Sequence, residues 1–243
     1  MKKTYLYGAI IILLIILSYV PLFTLDFERI INITDEDHIY ENLQALFFLL
    51  SAGLMFFLFI RSKSEEKNLF LKTNRNYFFL FLGLLLFFFF AEEISWGQRI
   101  IGIQTSEYMK NINSQEETNI HNLWLFSSYD KNISTKTGLM NWITAARLFA
   151  LFWFIYCVII PILNYLSDGM RKIFKKINIP IVPLWIGFIF IIAHIISKIA
   201  EKMWIYTNEQ PVTEIKECSF AFLFFVLSLS FFVIYKKSIS PKG

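Results

Sequence analysis

The chain has 243 residues, of which 56% are hydrophobic, and its mean hydropathy of +0.53 is too high for a soluble globular domain. The formal net charge of +4 is small, and the basic residues stand in short clusters beside apolar runs, which argues against nucleic-acid binding. Cys157 lies inside an apolar run and Cys218 begins another, so a structural disulfide is not expected.

Apolar stretches of about 20 residues, the length that crosses a bilayer, predict an all-α polytopic membrane bundle. We expect about six transmembrane helices in a single domain covering residues 1–243. In chain order the predicted spans are 5–25, 39–60, 77–99, 139–166, 181–206 and 218–235. The first stretch resembles a signal peptide, but its apolar run is long and no small-residue cleavage site follows, so we expect it to remain in the bundle.

Lysine and arginine residues mark alternate ends of the predicted spans. The predicted inner segments hold Lys2, Lys3, Arg61, Lys63, Lys67, Lys72, Arg75, Arg171, Lys172, Lys175, Lys176, Lys236, Lys237 and Lys242. Because short basic segments stay on the inner side of a membrane, this pattern predicts that both termini are cytoplasmic. We expect the chain in the plasma (inner) membrane, surrounded by the lipid bilayer.

The third predicted span ends in the sequence Glu92-Glu93-Ile94-Ser95-Trp96-Gly97-Gln98-Arg99. Two carboxylates directly after an apolar run are costly unless they are paired, protonated or facing a wet cavity. If the helix continues to Arg99, then Glu92, Ser95, Trp96 and Arg99 share one face of it. The alternatives are an interfacial helix end for the two carboxylates, an aromatic belt position for Trp96 and an interfacial anchor for Arg99.

Residues 100–138 form the predicted external loop, which is rich in Asn, Ser and Glu. Loops of this length in compact proteins often serve as lids or binding segments, although a plain connector is the alternative. We expect short amphipathic helices at the interface, with Trp124 and Tyr129 as anchors. If the segment is helical, Glu117 and His121 lie one turn apart and can share a metal ion or a proton. Ordinary solvated residues are the alternative.

The fourth and fifth predicted spans carry ionisable residues in their outer halves. His194, Lys198 and Glu201 fall on one face of the fifth span, and an ionisable residue inside a membrane is a functional hypothesis by default. The alternatives are a satisfied core histidine and a neutralising ion pair near the surface. Arg147 in the fourth span either extends to the interface or pairs with Glu92 or Glu93.

Further acidic residues and a histidine stand where the second and sixth spans begin. They are Glu36, Asp37, His38, Glu41, Glu214 and Glu217. The helix dipole explains acidic residues at these positions without any function. The predicted topology nevertheless brings all three histidines and the Glu92–Glu93 pair to the same side, which favours one shared site facing the non-cytoplasmic side.

The order Glu92-Glu93…Arg99, followed by Phe190-Ile-Ile-Ala-His194, resembles the CPBP-type intramembrane glutamate proteases. Those proteins carry a paired glutamate, an arginine and then Phe-x-x-x-His. The resemblance implies an intramembrane protease with glutamate and histidine in its site. In this chain the arginine lies two residues farther from the glutamates, and no histidine follows His194. Protease activity therefore stands as an alternative only.

The leading hypothesis is a membrane-embedded hydrolase or transferase acting on a lipid-linked or membrane-inserted substrate. Glu92 or Glu93 would be the general base, and His194 or His121 would act as acid or metal ligand. The remaining candidates would bind the substrate, with an arginine stabilising an oxyanion or holding a phosphate: Arg99, Arg147, Trp96, Lys198 and Glu201. The ligand types suit zinc or manganese, so a divalent ion could be held by Glu93, Glu117, His121 and His194.

Two other classes of function are open. A transporter or ion-coupled carrier could use the same carboxylates and histidines to bind a cation or relay protons. Against it, the inner halves of the predicted spans contain little polarity for a conduction path. A non-catalytic docking or sensing protein is the third possibility, and the long external loop suits it equally well.

Overall fold

The computed structural model describes residues 2–35, 38–63, 67–127 and 134–239. The described part is helical, and its α-helices are α1 (Lys2–Tyr19), α2 (Pro21–Thr24), α3 (Phe27–Thr34), α4 (Ile39–Arg61), α5 (Tyr77–Glu93), α6 (Gln98–Ile101), α7 (Glu107–Ile112), α8 (Ala145–Phe154), α9 (Ile160–Leu166), α10 (Asp168–Lys176), α11 (Leu184–Met203) and α12 (Gln210–Ile239). Single turns of 3-10 helix occupy Ser95–Gly97 and Gly138–Trp142, and a π-helical turn, Ile155–Ile159, joins α8 to α9.

Five helical stretches of the described part are long and apolar enough to cross a membrane. They are Tyr5–Thr24, Phe27–Arg61, Ala145–Leu166, Leu184–Met203 and Gln210–Ile239. The predicted third span is not among them, because α5 has 17 residues. At 1.5 Å per residue α5 is about 25 Å long, somewhat less than the hydrocarbon thickness of a bilayer. An all-helical chain with five candidate spans supports a membrane bundle.

Several predicted boundaries differ from the observed ones. The third span was predicted to continue to residue 99, but α5 ends at Glu93 because the next residues adopt a left-handed backbone. The predicted fourth span corresponds to a helix, α8, that begins only at Ala145, after the 3-10 turn. The predicted sixth span corresponds to α12, which already begins at Gln210. The early start of α12 follows from Pro211, since proline is well tolerated in the first turn of a helix. The Gln210 N–H also donates to Asn208 Oδ1 at 3.0 Å.

Aromatic side chains fill the interior between α8, α11 and α12. The Trp153 ring lies 5.9 Å from Phe190 and 5.2 Å from Phe220, measured between centroids. Phe152 stacks on Phe224 at 5.8 Å with an interplanar angle of 12°. Each such aromatic pair contributes about 0.5–1.5 kcal/mol beyond the area it buries. The phenylalanine-rich sequence thus supplies a packed core as well as exposed apolar surface, for example at Phe81 and Phe87.

The π-helical turn and one glycine let α11 approach closely. A regular helix would place the Pro161 ring against the carbonyl of Cys157, and the wider π turn before the proline avoids this clash. The Cys157 carbonyl then faces Gly187 of α11. A Cβ atom added to Gly187 would lie only 2.3 Å from that carbonyl oxygen, so a residue without a side chain is needed there.

Hydrogen bonds define the two ends of the bundle. At one end, the Tyr40 hydroxyl donates to the Ser18 carbonyl at 2.7 Å, and the hydroxyls of Ser18 and Ser219 lie 3.3 Å apart. These bonds join the last turn of α1 to the first turn of α4 and to the N-terminal third of α12. The C-terminus of α5 at Glu93 lies on the same side of the bundle, which we call the polar end. At the opposite end, the Asn68 amide donates to the Ile177 carbonyl at 2.9 Å, which joins the α4–α5 loop to the segment after α10.

Candidate functional site

The turn after α5 sets the positions of the polar residues at the end of this helix. Ser95, Trp96 and Gly97 have φ angles of 45°, 55° and 77°, a left-handed region that only glycine adopts without cost. Such residues persist where neighbouring contacts hold them. Here the Ser95 hydroxyl donates to Glu117 Oε2 at 2.7 Å, and Trp96 Nε1 donates to Glu92 Oε1 at 2.5 Å. The predicted helical face through residues 92–99 is therefore wrong.

Glu92 is the centre of the hydrogen-bond network, and only 3% of its surface is exposed. Its Oε1 accepts from Trp96, while its Oε2 accepts from the backbone N–H groups of Ile120 and His121, both at 2.7 Å. His121 Nδ1 lies 3.2 Å from the same Oε2 atom. A buried carboxylate is stable only with such donors, so this residue fixes the loop to the end of α5.

The loop that reaches Glu92 is held by buried asparagines. Asn113 and Asn119 are each 2% exposed, and the Asn113 amide donates to Asn119 Oδ1 at 2.8 Å. The Asn119 amide donates to Glu117 Oε2 at 2.8 Å, and the Thr118 N–H donates to Gln98 Oε1 at 2.9 Å. The sequence-based interpretation did not select Asn113, Asn119 or Gln98. The signal that was available is the density of asparagines in a loop, where their amides can bond the backbone locally.

This network corrects one expectation for the external loop. Residues 113–127 form turns rather than a helix, so Glu117 and His121 do not lie one helical turn apart. They belong to one network, with Glu117 bonded to Ser95 and His121 bonded to Glu92. The Trp124 N–H donates to the Ile112 carbonyl at 2.9 Å and its side chain is half-buried; its role as an interfacial anchor stays a prediction. Tyr129, like Glu36 and Asp37, lies outside the described residues.

His121 is oriented by the buried carboxylate and also faces open space. Its side chain is 39% exposed, and the residue is among those that line a cavity. When Nδ1–H donates to Glu92, the lone pair of Nε2 remains available to accept a proton. The geometry therefore gives this histidine the form of a carboxylate-oriented general base.

The cavity has a volume of about 440 Å³ and lies between α4, α5, α8 and α12. This is within the range of pockets that bind small molecules. Its apolar wall includes Phe48, Phe81, Phe88, Phe89, Phe149 and Phe152. Its polar lining consists of Gln44, Glu92, Glu93, His121 and Glu217. A long apolar chamber with polar groups at the polar end of the bundle suits an amphipathic ligand.

Glu92 and Glu93 are adjacent in the sequence but have different surroundings in the structure. Glu92 is held by hydrogen-bond donors of the loop, whereas Glu93 points to α4 and α12 and hydrogen-bonds the Gln44 side chain. The strongest electrostatic contributions at Glu93 come from carboxylates, namely those of Glu217, Glu214 and Glu41. Glu92 thus contacts the histidine, whereas Glu93 belongs to an acidic group with residues of α4 and α12.

The ionisable stripe of α11 does not join this site. The His194 ring lies 5.8 Å from Trp153 and does not line the cavity, so the two segments that resemble the glutamate proteases do not share it. Lys198 and Glu201 form an ion pair at 2.6 Å, in which the lysine side chain is 53% exposed. Glu201 also lies 4.0 Å from Lys216. These contacts match the alternative of a neutralising surface pair.

In the described part of the structure, the contacts of Arg147 and His38 lie outside the network around Glu92. The Arg147 guanidinium donates to the Asn141 carbonyl and lies 5.5 Å from the centre of the Trp142 ring, which matches the alternative of an arginine that extends outward and not that of a pair with Glu92 or Glu93. The side chain of Arg99 lies outside the described part of the structure. His38 precedes α4 and is exposed.

The described residues do not form the expected metal centre. Among them, no group of three or more histidine, cysteine, aspartate or glutamate side chains could hold a metal ion. The predicted ligands Glu93, Glu117, His121 and His194 are separated because the loop network holds the middle two and α11 carries the last against Trp153.

No protein-family model, no curated protein and no solved structure matches this chain.

Proposed function

We propose that the protein is an integral membrane hydrolase or transferase that acts on an amphipathic substrate embedded in the bilayer. In this proposal His121 is the general base and Glu92 is the carboxylate that orients it. The observation that carries the proposal is a histidine that is bonded through Nδ1 to a buried carboxylate and is one of the residues lining a largely apolar cavity. The roles differ from the sequence-based hypothesis, in which a glutamate was the base.

The proposed reaction needs one proton acceptor and one positioned electrophile. His121 Nε2 takes the proton from a water molecule or an acceptor hydroxyl as its oxygen bonds to the electrophilic carbon or phosphorus of the substrate. The bond to the leaving group then breaks, and the leaving group takes the proton back from Nε2. Glu92 stabilises the imidazolium that forms in between, and keeps the ring in one tautomer. The 39% exposure of the histidine is consistent with access for water.

The substrate is proposed to enter the cavity sideways from the hydrocarbon region of the bilayer. Two of the residues that line the cavity, Phe81 and Leu148, are 52% and 44% exposed on the outside of the bundle. Hydrocarbon chains of a lipid could enter between α5 and α8 at this place. The polar part of the substrate would then reach His121 at the polar end.

The proposed membrane arrangement has six spans: the five candidate spans described above and α5, which is the third in chain order. An antiparallel bridge between Lys63 and Arg75 and a hydrogen bond of 3.1 Å from Arg75 to the Ile60 carbonyl close a hairpin of α4 and α5. If α4 crosses the bilayer, its hairpin partner returns through it. The basic clusters lie opposite the polar end, which by the positive-inside rule supports a site on the non-cytoplasmic side, and we propose the plasma (inner) membrane as the location.

The test is a lipid turnover experiment on the purified protein. The protein is placed in nanodiscs made from the lipid extract of the producing cells, and the lipid species are followed over time by mass spectrometry. The wild type should convert at least one species, and His121→Gln should slow this conversion by about 10²-fold or more. His38→Gln, which changes an exposed histidine away from the network, is the matched control and should behave as the wild type. An unchanged lipid profile, or a His121→Gln variant at full rate, contradicts the proposal.

A further inference from the structure

The side chain of Gln44 presents an acceptor without a partner inside the bundle. Gln44 is 2% exposed, and its Oε1 atom makes no hydrogen bond among the described residues. Its side chain also hydrogen-bonds Glu93, and both residues line the cavity. An unpaired buried carbonyl oxygen costs free energy of about 1–3 kcal/mol unless a donor reaches it. The position therefore calls for a ligand that donates hydrogen bonds.

Two carboxylates on different helices line the same cavity as Gln44. Glu93 belongs to α5 and Glu217 to α12, and both line the cavity. The strongest electrostatic contribution to Glu93 comes from Glu217, followed by Glu214. Carboxylates that line one cavity of low dielectric constant repel each other, and a cation between them would relieve the repulsion.

The shape of the cavity favours an organic cation over a metal ion. A metal ion needs several ligands around a small volume, and the described residues form no such group of three or more acidic, histidine or cysteine side chains. The cavity instead measures about 440 Å³ and is lined by aromatic rings such as those of Phe48 and Phe89. Aromatic faces attract an ammonium group, and apolar walls accept hydrocarbon.

We infer that Glu93, Glu217 and the Gln44 carbonyl bind the ammonium group of an amphipathic amine whose hydrocarbon part fills the apolar cavity. This inference rests on the proposed function, because it assigns the substrate class of the same cavity. An ammonium group has three hydrogen-bond donors, which matches one amide oxygen and two carboxylates. Glu92 is not part of this set, since its oxygens are already held by Trp96 and the loop.

The experiment measures binding and needs no turnover. The purified protein in a neutral maltoside detergent is titrated with dodecylamine, and with dodecanol and dodecanoate as matched chains without the positive charge. Thermal unfolding is followed for the wild type and for the double variant Glu93→Gln/Glu217→Gln. The matched control is Glu209→Gln, which changes an exposed glutamate before α12. Magnesium, calcium and zinc chlorides are tested alone as the metal alternative.

The inference expects a rise in Tm of about 5–11 °C for the wild type at a dodecylamine concentration 100-fold above Kd. Dodecanol and dodecanoate should give less than a third of this shift. Glu209→Gln should keep the full shift, and the double variant should lose it while still unfolding cooperatively without ligand.

Equal rises in Tm with dodecylamine and dodecanol would overturn the inference, and so would a rise with dodecylamine that survives in the double variant. It would also be overturned if a metal ion, and not the amine, raised the Tm of the wild type but not that of the double variant. His121→Gln should keep the amine shift, because His121 is not one of the ammonium ligands. A failure of the catalytic proposal would therefore appear as unchanged turnover in His121→Gln with the amine shift intact. A failure of the present inference appears in the binding data alone.

Discussion

The contrast between Glu92 and Glu93 gives the sharpest structural prediction. Glu92→Gln replaces one carboxylate oxygen by an NH₂ group that cannot accept a hydrogen bond. If the remaining oxygen keeps the two backbone N–H groups of the loop at 2.7 Å, the NH₂ group faces Trp96 Nε1, donor against donor. A hydrogen bond to a charged group contributes about 1.5–3 kcal/mol, and a buried unpaired donor costs about 1–3 kcal/mol.

The expected loss for Glu92→Gln is about 2–4 kcal/mol, because Trp96 is 49% exposed and its indole can partly turn to solvent. In a protein of this size that corresponds to a fall in Tm of roughly 5–15 °C. Glu93→Gln is the matched control on the adjacent residue. It removes the repulsion from Glu217 and should leave Tm unchanged or raise it.

The assay is thermal unfolding of both variants in the same detergent, followed by intrinsic fluorescence and by circular dichroism. Equal melting temperatures for the two variants would refute the assignment of Glu92 as the anchor of the loop. A lower Tm for Glu93→Gln than for Glu92→Gln would refute it as well.

Three further predictions follow from packing, from the turn and from topology. Gly187→Ala should lower the free energy of unfolding by about 1–3 kcal/mol, because its Cβ would meet the Cys157 carbonyl. Gly53→Ala is the control: it has open space around it and should be neutral or stabilising, and thermal unfolding measures both variants. Trp96→Phe keeps an aromatic ring but removes the donor to Glu92, and should cost about 1–2 kcal/mol by the same measurement. A cysteine at exposed Ser114 should react with an impermeant maleimide in intact cells, and a cysteine at exposed Lys72 only after lysis; the reverse pattern would contradict the proposed orientation.

The helical class of the fold was predictable because apolar runs of bilayer length leave few alternatives. The runs around α1, α4, α11 and α12 gave helices close to the predicted positions. The end of α5 was not predictable in the same way. Serine and tryptophan have no intrinsic preference for a left-handed backbone, and the bonds that hold them come from Glu117 and Glu92. Long-range contacts of this kind are invisible to local periodicity.

The candidate site was predictable in part. The segment after α5 and the histidine of the loop were both selected from the sequence, and the structure joins them through Glu92 and His121. The different surroundings of Glu92 and Glu93 could not be deduced, since adjacent residues on a helix point about 100° apart and only the packing decides what each one meets. His194 was selected for its depth in an apolar helix, yet it packs against Trp153 outside the cavity.

The most direct test of the central claim is the rate of lipid conversion by His121→Gln compared with the wild type, measured in the same nanodiscs. The rates are compared at a temperature at which both proteins are fully folded, because the variant retains the backbone N–H of residue 121 that binds Glu92 but loses the contact from Nδ1. The account predicts a fall of about 10²-fold or more. A rate within about threefold of the wild type would show that this histidine is not the general base.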